Sequence, residues 1–129
     1  MSEEQTPYEA FGGEPVIRRL VDRFYDHMDT LPEAWVIRKI HQESLDSARQ
    51  KLFEYFTGWL GGPPLFESKY GHPRMRARHM PFSIGEAERD AWLMCMQMAF
   101  EEVLPAGPQR DAFWERVVGL ADWMRNREN

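Results

Sequence analysis

Cysteine is nearly absent from this chain of 129 residues. A single thiol, Cys95, excludes an internal disulfide framework and leaves too few thiolates for a zinc ribbon or cluster site. Long hydrophobic runs are missing as well: no apolar stretch approaches the roughly 18 residues that span a bilayer. The start Met1-Ser2-Glu3-Glu4 is acidic and has none of the basic and apolar regions of a signal peptide. A cytoplasmic, reducing location with no membrane partner is therefore expected. Positive charge is the minority sign, with 16 Lys+Arg against 21 Asp+Glu, which argues against nucleic acid as a partner. Alternating runs of β-branched residues are also lacking, so the expected class is all-α.

What is present suits a single domain over 1–129, since 43% hydrophobic and 29% charged residues can build a core that folds unaided. Five Trp and eight Met suggest an adaptable, ring-lined interior. After Pro15, the residues Val16, Ile17, Leu20, Val21, Phe24, Tyr25 and Met28 recur at helical spacing. Pro32 suits the first turn of a short helix to about Ile40. A third apolar stripe, from Leu45 to Leu60, is stopped by Gly61-Gly62-Pro63-Pro64, and Gly58 weakens its last turn. Prolines and glycines make residues 61–81 irregular until Pro73 starts a short helix. Ser83 with Glu86 reads as a capping box for a helix carrying Ala91, Trp92, Cys95, Met96, Ala99, Phe100 and Val103, and a last helix starts near Pro108.

The segment Lys69-Tyr70-Gly71-His72-Pro73-Arg74-Met75-Arg76-Ala77-Arg78-His79-Met80-Pro81-Phe82 holds four Lys or Arg residues and no acid. On a helix Arg74 and Arg78 share a face, while His79, beside Met75, Met80 and Phe82, can turn inward. Two readings stand: a solvated basic helix with one satisfied histidine, or a site for something anionic. The four histidines form no HExxH-type pair, and no carboxylate stands at ligand spacing beside His79, which disfavours a zinc or non-haem iron site. Cys95 lies on an apolar helix face, no serine sits in a nucleophile elbow and no glycine-rich phosphate loop is present. Taken alone, Tyr25 and Trp92 are ordinary aromatic core at helical spacing. A cofactor with two anionic arms, a flat apolar body and a metal that takes one imidazole, namely haem, fits the combination.

Five stretches carry a resemblance that spans almost the whole chain: Phe11-Gly12-Gly13, Arg23-Phe24-Tyr25, Trp59-Leu60-Gly61-Gly62-Pro63, Gly71 through Phe82, and Glu88-Arg89-Asp90-Ala91-Trp92. In order and spacing they resemble group II truncated haemoglobins, a bacterial truncated-globin family. The resemblance implies a truncated globin fold, two antiparallel helix pairs crossed over each other around haem b (iron protoporphyrin IX). It implies His79 as the iron ligand, Tyr25 and Trp92 as distal hydrogen-bond donors to a bound diatomic ligand, and His41 as a third polar distal group. Ala48 and Leu52 match the distal helix positions, where a storage globin has a histidine and a valine. Lys51 and Arg78, with Arg76 as a substitute, match the cations that pair with the haem propionates. Phe53, Phe56, Met75, Phe82 and Met96 are candidates for the apolar wall, and each equally suits packing between helices without touching a cofactor, while Arg74 and Trp123 are read as solvation and core packing.

The function so implied is reversible binding of dioxygen, nitric oxide or carbon monoxide. Several donors in one pocket suit oxygen-dependent redox chemistry, such as nitric oxide dioxygenation or peroxidase-like activation of peroxide, better than oxygen transport or storage. An electron donor or reductase is then an expected partner, and a monomer or homodimer the expected assembly. Two other classes remain: a haem-based ligand sensor acting through a protein partner, and a cofactor-free helical module whose basic segment recognises an acidic partner.

Overall fold

The computed structural model describes residues 5–126, with every side chain in that span except that of Arg76. The acidic start at residues 1–4 lies outside it, and the Arg76 side chain, read above as a substitute propionate partner, is likewise not described. Every regular element among the described residues is helical. In chain order these are α1 (Pro7–Phe11), α2 (Glu14–Thr30), a 3-10 turn (Pro32–Ala34), α3 (Trp35–Arg38), α4 (Asp46–Trp59), α5 (Leu65–Tyr70), α6 (Met75–His79), α7 (Glu86–Val103) and α8 (Pro108–Met124).

Helix α2 packs against α4 on one side and lies across α7, which in turn packs on α8. The apolar stripe of α2, with Ile17, Leu20, Val21, Phe24 and Met28, is buried along this crossing. At the far end Phe113 of α8 gathers the rings of Phe100 (4.8 Å between centroids), Phe56 (5.3 Å), Phe11 (5.9 Å) and Trp59 (6.1 Å). Edge-on and tilted ring contacts of this kind add to the area they bury.

Helix α1 was not expected, because five residues are too few to show a period. Thr6 and Glu9 form a reciprocal capping box at its start. The two glycine pairs of the sequence hold it. Gly13 N donates to Tyr8 O at 2.9 Å, and Tyr8 N donates to Leu60 O at 3.0 Å. A Cβ on Gly62 would stand 2.8 Å from Tyr8 Cγ and 2.9 Å from Thr57 O, so only glycine lets the Tyr8 ring approach.

Helix α4 runs on through Gly58 to Trp59, and the missing side chain at Gly58 admits Pro64, whose Cα would lie 3.3 Å from an added Cβ. Two further expectations are corrected. The segment after Gly61 is not irregular up to Pro73, because α5 forms inside it. Helix α7 is capped at Gly85 by Glu88 rather than by Ser83 with Glu86: Gly85 N donates to Glu88 Oε1 at 2.7 Å. Ile84 cannot join the helix, since its N–H donates to Asn126 Oδ1 and its carbonyl accepts from Asn126 N, both at 2.9 Å.

Candidate haem cavity

A cavity of about 570 Å³ opens between α2, α3, α4, α6 and α7. It is within the roughly 300–1,000 Å³ common for cofactor sites. Its wall includes Tyr25, His41, Ala48, Lys51, Leu52, Met75, Arg78, His79, Phe82 and Trp92, ten of the fourteen site residues offered by the sequence. Phe56 and Met96 are outside the lining. Both are fully buried, Phe56 against Trp59 and Phe113, and Met96 in the core of α7. Helical spacing identifies the inward face of a helix but does not separate the inward residues that meet a cavity from those that meet another helix. Phe53 is likewise drawn away, beneath the Arg18 guanidinium at 3.8 Å.

His79 closes α6. Its Nδ1–H donates to the Met75 carbonyl one turn back, at 2.6 Å. A carbonyl only accepts, so the neutral ring carries its proton on Nδ1 and a lone pair on Nε2. Such a fixed tautomer is what a metal-ligating histidine needs. The start of α6 is set up by Arg74, which takes the left-handed region (φ 48°, ψ 50°) and whose N–H donates to His72 Nδ1 at 3.1 Å. That conformation costs roughly 1–2 kcal/mol for a residue with a side chain.

Another part of the wall is supplied by α2, the chain after α3, and α7. Tyr25 is buried, with its ring against Phe24 (4.7 Å) and edge-on to His41 (6.0 Å). Burial pushes its hydroxyl well above the usual tyrosine pKa, and the Arg49 charge, 5.9 Å from the ring centre, opposes this only in part. Trp92 packs edge-on to Phe24 at 5.1 Å. Neither the Tyr25 hydroxyl nor the Trp92 indole N–H forms a hydrogen bond to another described residue. His41 Nδ1 donates to Ile37 O at 2.9 Å. Burial holds its pKa below the ordinary 6.5, the charges of Arg38 and His79 add to that, and the Ile37 bond acts against it. The ring is therefore neutral near pH 7, with Nε2 an acceptor rather than a donor.

Lys51 and Arg78 stand on the rim, both exposed and both lining the cavity. The rest of the lining adds the apolar Ile37, Ile40, Phe66, Ile84, Ala121 and Met124, with Gln42, Ser44, Ser47, Glu88 and Arg89 as its polar members. A mostly apolar slot with Lys51 and Arg78 on its rim, the His79 lone pair on α6 and the Tyr25 and Trp92 donors on other helices fits the donor set a haem requires. No group of three or more His, Cys, Asp or Glu side chains able to hold a bare metal ion occurs among the described residues. Cys95 is fully buried and its thiol pushed up to about 11 by burial, so it has the character of core. Trp123, read above as core packing, is instead 60% exposed.

Residues 6–126 match the family described as bacterial-like globin. The chain is 38% identical to a group 2 truncated haemoglobin of Bacillus subtilis, over 94% of this chain and 89% of that one. It is also similar to the solved group II 2-on-2 haemoglobin of Agrobacterium tumefaciens, with 46% identity, 98% of each chain covered and a TM-score of 0.96. A cold-adapted truncated haemoglobin of Pseudoalteromonas haloplanktis superposes with a TM-score of 0.93 at 40% identity, over 96% of this chain and all of that one. The two-over-two arrangement of α2 with α4 and α7 with α8 is common to this chain and the 2-on-2 structure.

Proposed function

Because this chain belongs to the bacterial-like globins and, among them, to the group II truncated haemoglobins, we propose that it binds haem b in the 570 Å³ cavity with His79 as the iron's protein ligand. On this reading the whole chain, 1–129, works as one cytoplasmic truncated-globin domain, a monomer or homodimer that takes dioxygen, nitric oxide or carbon monoxide. The observation that carries the reading is the His79 tautomer: Nδ1–H is donated to Met75 O at 2.6 Å, which leaves Nε2 bare on a residue of the cavity wall. When bound, haem supplies a redox-active iron with a coordination position for a diatomic ligand.

The chain's own groups then divide the work. Lys51 and Arg78 hold the two propionates by charge-assisted hydrogen bonds at the rim. Leu52, Met75 and Phe82 keep water from the slot, and Ala48 leaves space in it. The Tyr25 hydroxyl, kept protonated by its burial, and the Trp92 indole N–H offer donors to an electron-rich ligand atom. Donors fixed in a dry pocket slow ligand loss, which suits redox turnover better than transport.

Two reactions fit: nitric oxide with dioxygen and one electron from a reductase gives nitrate, or a peroxide is cleaved at its O–O bond. His41 favours the second. A ligand that arrives with a proton finds an acceptor in Nε2 of a neutral ring, anchored through Nδ1 to Ile37. Acid–base work is thus the role proposed for His41, the third polar group of the pocket.

The test is an absorption spectrum of the purified protein after haem addition, taken ferric, reduced, and reduced under carbon monoxide, beside His79→Ala. A sharp Soret band that moves on reduction and again on carbon monoxide, and weakens in the variant, is the expected result. Absence of stoichiometric haem uptake by the parent would overturn the reading.

A further inference from the structure

The two rim cations come from different helices, yet both rest on one short element between them. Lys51 Nζ of α4 is 5.8 Å from the centre of the Tyr70 ring, and Arg78 Cζ of α6 is 5.3 Å from the centre of Phe66. Tyr70 and Phe66 are one turn apart on α5, with ring centroids 4.7 Å apart. Helix α5 is itself fastened: Lys69 Nζ donates to the buried Glu54 Oε2 on α4, and Phe66 meets Tyr55 edge-on at 6.1 Å. Arg78 Nε also donates to Pro73 O at 2.6 Å. Tyr70 is 40% exposed and outside the cavity lining, so packing of the cavity wall does not account for its place.

From this juxtaposition we infer that Phe66 and Tyr70 are positioning residues, a paired aromatic brace that presets Lys51 and Arg78 to take the two carboxylates of one flat ligand. The inference rests on the haem reading above. Its physics is preorganisation. A lysine or arginine at a solvent-exposed rim loses side-chain entropy when it grips a carboxylate, and a ring face that already holds the cation removes part of that cost. Because the two rings touch each other, the separation of the two cations is set by α5 rather than by each stem alone. The brace therefore acts on a ligand with two anionic arms and is indifferent to one whose arms are neutral.

The experiment compares loss of protohaem and of its dimethyl ester to an excess of an apo-acceptor, for the parent, Phe66→Leu, Tyr70→Leu and Tyr70→Phe. Each leucine variant is expected to lose protohaem about three- to fivefold faster, the scale of one exposed cation–π contact. Tyr70→Phe keeps the ring face and is expected to match the parent. For the ester both Tyr70 variants should match the parent, and Phe66→Leu, which also changes the cavity wall, should be accelerated less than for protohaem. In the apo-protein, ring-current shifts of the Lys51 and Arg78 methylene protons should vanish in Tyr70→Leu and Phe66→Leu respectively. Equal acceleration for both haems, or none for either, overturns the brace, as do apo-parent spectra without those shifts. Failure of the parent to take up haem overturns the function and the brace together, and the parent spectrum tells that case from loss of the brace alone. Tyr70→Leu, changed at a half-exposed position, keeps the comparison open should Phe66→Leu fold poorly.

Discussion

The Tyr25 ring meets His41 edge-on, with centroids 6.0 Å apart and planes at 74°. One ring carries an O–H that burial keeps protonated, and the other an imidazole that burial keeps neutral. A donor and an acceptor thus share one side of the cavity, while the His79 lone pair belongs to another helix.

The donors can be deleted singly. Tyr25→Phe and Trp92→Phe are each expected to raise the dioxygen off-rate about tenfold, the effect of one hydrogen bond of roughly 1.4 kcal/mol. The Tyr25 hydroxyl has no partner among the described residues, so Tyr25→Phe should leave the stability of the apo-protein within about 1 kcal/mol of the parent. Stopped-flow dissociation and urea melts separate the two effects. Unchanged off-rates in both variants would remove Tyr25 and Trp92 from ligand stabilisation.

His41 predicts a pH dependence whose sign follows from its depressed pKa. Below the ordinary value of 6.5 the unfolded chain protonates this ring while the folded chain does not, so the unfolded state binds more protons. Stability should therefore fall as pH drops from about 6.5 toward the folded value, and level off beneath it. Urea midpoints of the apo-protein measured across this range are expected to slope less in His41→Phe. The same variant should react more slowly with hydrogen peroxide while its carbon monoxide binding changes little. A parent-like peroxide rate would remove the proton-acceptor role.

The long helices were legible because each repeats its apolar residues over several turns: α2, α4, α7 and α8 all follow stripes visible in the chain. Short elements were not. Helix α5 has six residues between Pro64 and Gly71, and its anchor, Glu54, is on another helix, so nothing local announces it. At the site, His79, Tyr25, Trp92 and His41 were legible because they belong to ordered motifs or to their spacing. Phe56 and Met96 were misplaced because an apolar residue on the inward face looks alike whether it meets a void or a neighbour. Ser83 looked like a cap because its spacing to Glu86 is right, but the pairing of Ile84 with Asn126 delays the helix.

Asn126 had no signal in the sequence at all, yet it ties the end of α8 to the turn after His79. Its Oδ1 accepts from Ile84 N at 2.9 Å, and its Nδ2 donates to Phe82 O at 2.8 Å and to His79 O at 3.2 Å. Asn126→Ala is expected to cost about 1–3 kcal/mol, since it strips a part-buried N–H and two carbonyls of one partner each. The loss should fall on residues 79–84, read as faster amide exchange there than in α2, and as faster haem loss. Uniform exchange across the chain would show that Asn126 supports the fold as a whole rather than this turn.

Glu54 and Lys69 form a lopsided pair, the carboxylate side chain 1% exposed and the ammonium side chain 55% exposed. Burial alone would raise the Glu54 pKa, but hydrogen bonds from Lys69, Gln50 and Tyr70, with the Lys69 charge, outweigh it and hold the group below its ordinary 4.5. Oε2 takes the bonds from Lys69 and Gln50. Removing the cation leaves a buried charge, whereas removing the charge leaves an ammonium free to reach water. Lys69→Met should therefore cost more stability than Glu54→Gln, for which less than about 1 kcal/mol is expected. The carboxylate binds fewer protons folded than unfolded, so its contribution is present above 4.5 and is lost as pH falls through the depressed value. Acid titrations of stability should be flatter in Glu54→Gln than in the parent. In the double variant Lys69→Met should add almost nothing to Glu54→Gln, because no charge is left to strand. Equal costs for the two single changes would mean that α5 is held by its rings and not by this ion pair.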